Sequence, residues 1–205
     1  MAHNPVGLPS PVPWLSSFLP TVLTSIQTNV ALDETLFILF HQLTRATDLP
    51  QEILFPLAEV LPSLASIHPD PPTRFLAYRL LAILLNLASS SIHFEILRSL
   101  TSESEFPQMR TAAIGLVKEA VLDAISEVSL ARVSNPFASP DFMKIFSPIL
   151  FRPSPLDLFS SNLSLAEFQG SSEASRLAES LGLLYILIRR DTENFVRRSF
   201  MCSHC

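Results

Sequence analysis

Strong helix-start signals recur at Asp33, Pro71, Pro107, Pro140 and Ser172, at steps of 38, 36, 33 and 32 residues. This spacing constrains the fold more than any other feature. Each start joins a residue suited to an N-cap or first helical position to apolar residues recurring at three- and four-residue spacing. Steps of this size hold two helices and their turns, as in stacked helix-pair repeats. The apolar stripe of one pair alone does not offset the backbone entropy of ordering it, so both faces must be covered, which stacking provides. Alternating runs of β-branched and aromatic residues are missing, and only four Gly are present for hairpin turns. The predicted fold is all-α, a HEAT/armadillo-like α-solenoid of stacked antiparallel helix pairs.

Residues 1–13 read as a Pro-rich lead-in, 14–190 as a helical-repeat domain with a Pro-rich irregular segment at 134–162, and 191–205 as a loosely held tail. The first helix spans Trp14 to Thr28, kinked or shortened at Pro20. Asp33 is the expected N-cap of a second, with Leu36, Phe37, Leu39, Phe40 and Leu43 as its buried side. A third runs to Ile67, where Pro56 and Pro62 argue for kinks or two pieces. Asp70 with Pro71 and Pro72 starts the next, and a shorter helix covers Ser91 to Leu100. From Pro107, residues Met109, Ala112, Ala113, Leu116, Val117, Ala120, Val121, Ala124 and Ile125 share one face. Small residues among them let a neighbouring helix approach closely. Short helices follow near 140–150 and 163–168. The last runs from Ser171 or Ser172 to Arg190, with Ala174, Leu177, Ala178, Leu181, Leu184, Tyr185 and Ile188 as its stripe.

Apolar residues make up 48% of the chain and charged residues 16%, too hydrophobic for disorder. The longest apolar runs, Phe75 to Ala88 and Leu181 to Ile188, are broken by Arg79 and Asn86 or fall short of the roughly 18 to 20 residues a bilayer span needs. No membrane association is expected. Five prolines in the first twenty residues, with no preceding Lys or Arg, break any signal-peptide core. Both cysteines lie in the last four residues, so no disulfide framework staples the body. The expected location is cytoplasmic, with the nucleus also open. A net charge of −5 offers no general attraction to phosphate backbones, and no nucleic-acid partner is expected.

Gly7, Gly115, Gly170 and Gly182 are too scattered for a phosphate-cradling loop. No Ser sits in G-x-S-x-G, and His41 and His93 read as structural or surface residues. No catalytic residue and no cofactor site is nominated. Cys202, His204 and Cys205 are the one ligand-like set, able to share a zinc or to pair by oxidation, but they make half a site, because a closed zinc site needs four ligands. The protein-binding candidates are Arg110, Lys118 and Glu119 on the Pro107 helix. For Arg110 the alternative is structural, hydrogen-bonding to a carboxylate or a helix end of the next repeat.

Phe106-Pro-Gln-Met-Arg-Thr-Ala-Ala-Ile-Gly-Leu resembles the second half of a HEAT repeat. Together with Asp70-Pro-Pro-Thr-Arg-Phe-Leu-Ala-Tyr-Arg-Leu-Leu, Phe94-Glu-Ile-Leu-Arg-Ser-Leu and Leu183-Leu-Tyr-Ile-Leu-Ile-Arg-Arg-Asp, it resembles the C-terminal part of the Yap-binding protein, aberrant lateral root formation (ALF4) and glomulin family, over most of residues 33–195. The resemblance implies a helical-repeat protein without enzymatic activity. It implies a C-terminal portion of a longer protein, a short paralogue or a truncated gene model. Its fungal branch implies binding a stress-responsive bZIP transcription factor in the oxidative-stress response. Its glomulin branch implies binding the RING subunit of a cullin-type ubiquitin ligase. After Asn194 the chain departs from the family's pattern, so no role is carried onto Cys202, His204 or Cys205.

Overall fold

The computed structural model describes residues 11–131, 134–154, 156, 158 and 164–196. It divides into two compact units, Met1–Ala88 and Ser89–Cys205. Every regular element among the described residues is helical.

The first unit holds α1 (Pro11–Thr28), α2 (Leu32–Leu43), α3 (Gln51–Ile67) and α4 (Pro71–Asn86). The α1/α2 pair stacks on the α3/α4 pair, with α1 beside α3 and α2 beside α4. Leu36, Leu39, Leu43, Leu57, Leu61, Leu80, Leu81 and Leu84 are fully buried between them, each worth about 1.5–3 kcal/mol. The α1 and α3 helices run unbroken through Pro20, Pro56 and Pro62. A helix-interior proline costs about 3 kcal/mol. In α3 the buried Ile53, Leu54, Leu57, Leu61 and Leu64 offset that cost, and Pro62 is itself buried.

Two expectations for α2 are corrected. Its N-cap is Ala31 in a left-handed conformation (φ 52°), so Asp33 falls in the first turn. A tight turn sets this start: Ser25 Oγ donates to the Val30 carbonyl at 2.6 Å and lies 2.8 Å from Thr35 Oγ1. Its buried stripe is Leu32, Leu36, Leu39 and Leu43, a complete one-face set that leaves Phe37 68% exposed. The predicted start of α4 holds. Asp70 Oδ2 accepts the Thr73 N–H at 2.9 Å and the Thr73 hydroxyl at 2.6 Å, and these bonds hold the Asp70 carboxyl below its ordinary pKa.

The second unit holds α5 (Ser90–Ser102), α6 (Pro107–Ala131), a 3-10 turn at Pro136–Ala138, α7 (Pro140–Phe151), α8 (Leu165–Gln169) and α9 (Ser172–Arg190). Here α5 pairs with α6 and α7 with α9, while α5 lies beside α7 and α6 beside α9. Each unit therefore repeats one plan, two antiparallel helix pairs in two layers, as a helical repeat requires. The sequence periodicity mixes the layers. The starts near residues 33, 71, 107 and 172 open second helices of pairs, but Pro140 opens a first helix, so the last repeat is enlarged by the segment between α7 and α9.

Of the predicted α6 stripe every residue is buried except Ala112, and Ile114 is buried as well. Phe94 of α5, Phe137 of the 3-10 turn and Phe142 and Phe146 of α7 form one aromatic cluster with ring centroids 4.9 to 6.5 Å apart. The chain stays anchored beyond Arg190, because the buried Asp191 accepts the N–H groups of Phe195 and Val196 at 2.7 and 3.1 Å.

Candidate protein-binding surfaces

The predicted inward face of α9 is overturned. Leu181, Tyr185 and Ile188 are 59%, 61% and 53% exposed, and the buried residues are Glu173, Arg176, Ser180, Leu183 and Leu187. What turns this face inward is the open end of α7, whose last carbonyls have no intrahelical partner. Arg176 Nη1 donates to the carbonyls of Ile149 and Leu150, each at 2.9 Å, and Nη2 to that of Arg152 at 2.8 Å. Its Nε and Nη2 donate to Glu173 at 2.7 and 2.6 Å, and Glu173 also accepts the Ser154 N–H at 3.0 Å. Burial alone pushes the Glu173 carboxyl up. The hydrogen bonds from Arg176 and Ser154 and the positive charges of Arg176 and Arg110 outweigh it and hold the group below its ordinary pKa.

Arg176 thus fills the structural role that the sequence offers for Arg110. The Arg110 side chain makes no hydrogen bond among the described residues, and its Nε is buried without a partner. Lys118 stands 3.8 Å from Glu179 of α9, and Glu119 is exposed on α6. The three candidates thus differ in setting: Arg110 is half-buried, Lys118 faces Glu179 and Glu119 is exposed. Cys202, His204 and Cys205 lie outside the described residues. Among those described, no group of three or more His, Cys, Asp or Glu is placed to hold a metal ion, and no helix is long and apolar enough to cross a membrane.

His41 is exposed on α2. His93 is mostly buried, its ring edge-on to Phe137 with centroids 5.2 Å apart, and burial lowers its pKa from 6.5 to about 4. The unfolded chain therefore binds a proton that the folded chain does not between these values. Stability is full above pH 6.5 and falls as the pH drops toward 4, by up to about 3 kcal/mol. Urea unfolding across this range is expected to show the loss in wild type and a flatter profile in His93→Gln. In the first unit a cavity of about 430 Å³ is lined by Ile26, Leu64 and Ile67 with His68. His68 is engaged on both ring nitrogens, by the Asp70 N–H and by Asn29, each at 3.2 Å.

Large apolar side chains left in water mark two surfaces. On the first unit, Phe37 and Phe75 are 68% and 63% exposed. The Arg79 guanidinium lies 5.8 Å from the Phe40 ring centroid and 6.0 Å from that of Phe75, bridging α2 and α4. On the second unit, α9 exposes Leu181, Tyr185 and Ile188, with Arg189 5.9 Å from the Tyr185 ring. Sequence periodicity assigns Phe37 and the α9 stripe to the interior, so neither surface is readable before the helices are paired.

The model of the uncharacterised protein family YAP/Alf4/glomulin matches residues 8–201. The chain belongs to the YAP/Alf4/glomulin family. The match begins well before Asp33 and runs past Asn194, so it is wider than the likeness visible in the quoted motifs and takes in most of the segment that departs from the expected pattern. No curated protein and no solved structure matches. For this YAP/Alf4/glomulin family member, the sequence-predicted family and all-α class both hold.

Proposed function

We propose that the chain is a non-catalytic helical-repeat adaptor that holds a regulatory protein in the oxidative-stress response, its partner being a bZIP-type transcription factor. Family membership supports binding to a protein. The observation that carries the reading is the first unit's aromatic surface, where Arg79 lies over Phe40 and the exposed Phe75, and Phe37 is exposed on α2. Aromatic residues and Arg are the side chains enriched at interface hot spots. The alternative partner within the same fold is the RING subunit of a cullin-type ubiquitin ligase. Arg110, Lys118 and Glu119 remain secondary candidate contacts on the second unit. The location proposed for this activity is the cytoplasm, with the nucleus also open.

The test compares wild type with Phe37→Ser/Phe75→Ser in pull-downs of a purified bZIP factor and a purified RING subunit. Both changes sit at exposed positions, so the fold is expected to survive, and circular dichroism checks this. Capture of the bZIP factor by wild type and about tenfold weaker capture by the variant is the expected result. Capture of the RING subunit alone selects the alternative. Capture of neither, under resting and oxidised conditions, contradicts the adaptor reading.

A further inference from the structure

A cleft of about 320 Å³ within the second unit is lined by Arg110, Arg152 and Arg176, with Ser154 and the apolar Ile149 and Leu156. The three guanidinium groups are not equivalent. Arg176 is neutralised by Glu173 and uses its donors on that carboxylate and on the end of α7. The Arg110 side chain makes no hydrogen bond among the described residues and carries a buried, unpartnered Nε. A buried donor of this kind is costly to leave without a partner, and more so when it is charged. Arg152 is exposed, and among the described residues its side chain makes no ion pair or hydrogen bond. Three guanidinium groups against the one carboxylate of Glu173, which Arg176 and Arg110 both stabilise, leave this cleft positive in a chain whose net charge is −5.

A phosphate monoester matches this arrangement better than a single carboxylate does. It carries close to two negative charges at neutral pH and three strong acceptor oxygens, and guanidinium forks fit it in bidentate fashion. The Ile149 and Leu156 walls suit the carbon stem of an amino-acid side chain. We infer that this cleft is an oxyanion site that takes the phosphorylated serine or threonine of a protein partner. The site stands on the cleft's own chemistry, and only the source of its phosphate rests on the protein-binding reading.

The experiment is calorimetric titration of the full chain, at low salt and pH 7.5, with a short phosphoserine peptide. The unphosphorylated peptide, its glutamate counterpart and inorganic phosphate serve as comparisons. Binding of the phosphopeptide is expected, with affinity falling about tenfold or more in both Arg110→Met and Arg152→Ala. Arg152 is exposed, so its variant keeps the test open should Arg110→Met fail to fold. No binding of the phosphopeptide, wild-type affinity in both variants, or preference for the glutamate peptide overturns the proposal. Tighter binding of inorganic phosphate than of the peptide overturns the protein source. Asp157, next to Leu156 in sequence, lies outside the described residues. Binding that emerges only in Asp157→Asn would assign the arginines to the chain's own carboxylate and also overturn the proposal. The Phe37→Ser/Phe75→Ser pull-down is independent of each of these outcomes.

Discussion

Replacing Arg176 with Ala is expected to destabilise the second unit by about 3–5 kcal/mol, the scale for removing one partner of a buried ion pair. The side chain is 8% exposed and its Glu173 partner 9%. Its loss leaves a carboxylate in the interior and removes the donors that satisfy the carbonyls of Ile149, Leu150 and Arg152. Glu173→Gln keeps an acceptor for Arg176 and for the Ser154 N–H, so its effect should be smaller. Replacing both members with apolar residues of similar volume should recover part of the loss, because the pair's own desolvation is then also removed. The α7 carbonyls stay unpaired in that double variant, so recovery is incomplete. Urea unfolding followed by circular dichroism measures all three. A change below about 1 kcal/mol for Arg176→Ala would show that the pair is solvated.

Phe146→Ala is the second large effect, with about 3–5 kcal/mol lost, as for other buried aromatic truncations. The Phe146 ring is fully buried, stacked on Phe142 at 4.9 Å and edge-on to Phe94 at 5.1 Å. It therefore joins α5 to α7, the same-layer neighbours of the second unit. Deletion opens a cavity bounded by rings that cannot close in without breaking their own contacts, and edge-to-face geometry adds about 0.5–1.5 kcal/mol beyond area. Tyr185→Ala in the same unit is the contrast. Its side chain is 61% exposed, so its truncation should stay within about 0.5 kcal/mol. Equal losses in the two variants would contradict the packing described.

The difference between α6 and α9 shows where sequence patterning reaches its limit. In α6 the predicted stripe from Met109 to Ile125 is apolar throughout, and it agrees with the buried stripe except at Ala112 and Ile114. In α9 two faces compete. Leu181, Tyr185 and Ile188 form the better amphipathic stripe, yet the helix buries Glu173, Arg176 and Ser180. The reason lies outside the helix, in the unpaired carbonyls at the end of α7 near Pro153. The available local signal was the Glu-x-x-Arg spacing of residues 173 and 176, which pairs side chains on one helix face. Alone it reads as a solvated pair. The same limit hid Phe37, since a twelve-residue helix with leucines at 32, 36, 39 and 43 needs no further buried residue.

Proline and cap chemistry were more reliable guides. Asp70 with Pro71 and Pro107 located the starts of α4 and α6, because a cap satisfies backbone donors locally and needs no tertiary partner. The arginine cleft had no such local signature. Arg110, Arg152 and Arg176 come from α6, the end of α7 and α9, and only pairing of the helices brings them together.

The central claim is that α9 packs with its ion-pair face inward and leaves its apolar stripe on the surface. Thiol labelling tests it directly. In a Cys202→Ser/Cys205→Ser background, single cysteines are placed at Leu181 and Tyr185 on one face and at Leu183 and Leu187 on the other. Under native conditions, fast labelling at 181 and 185 with strong protection at 183 and 187 is the predicted result. Protection at 181 and 185 with fast labelling at 183 and 187 would contradict it.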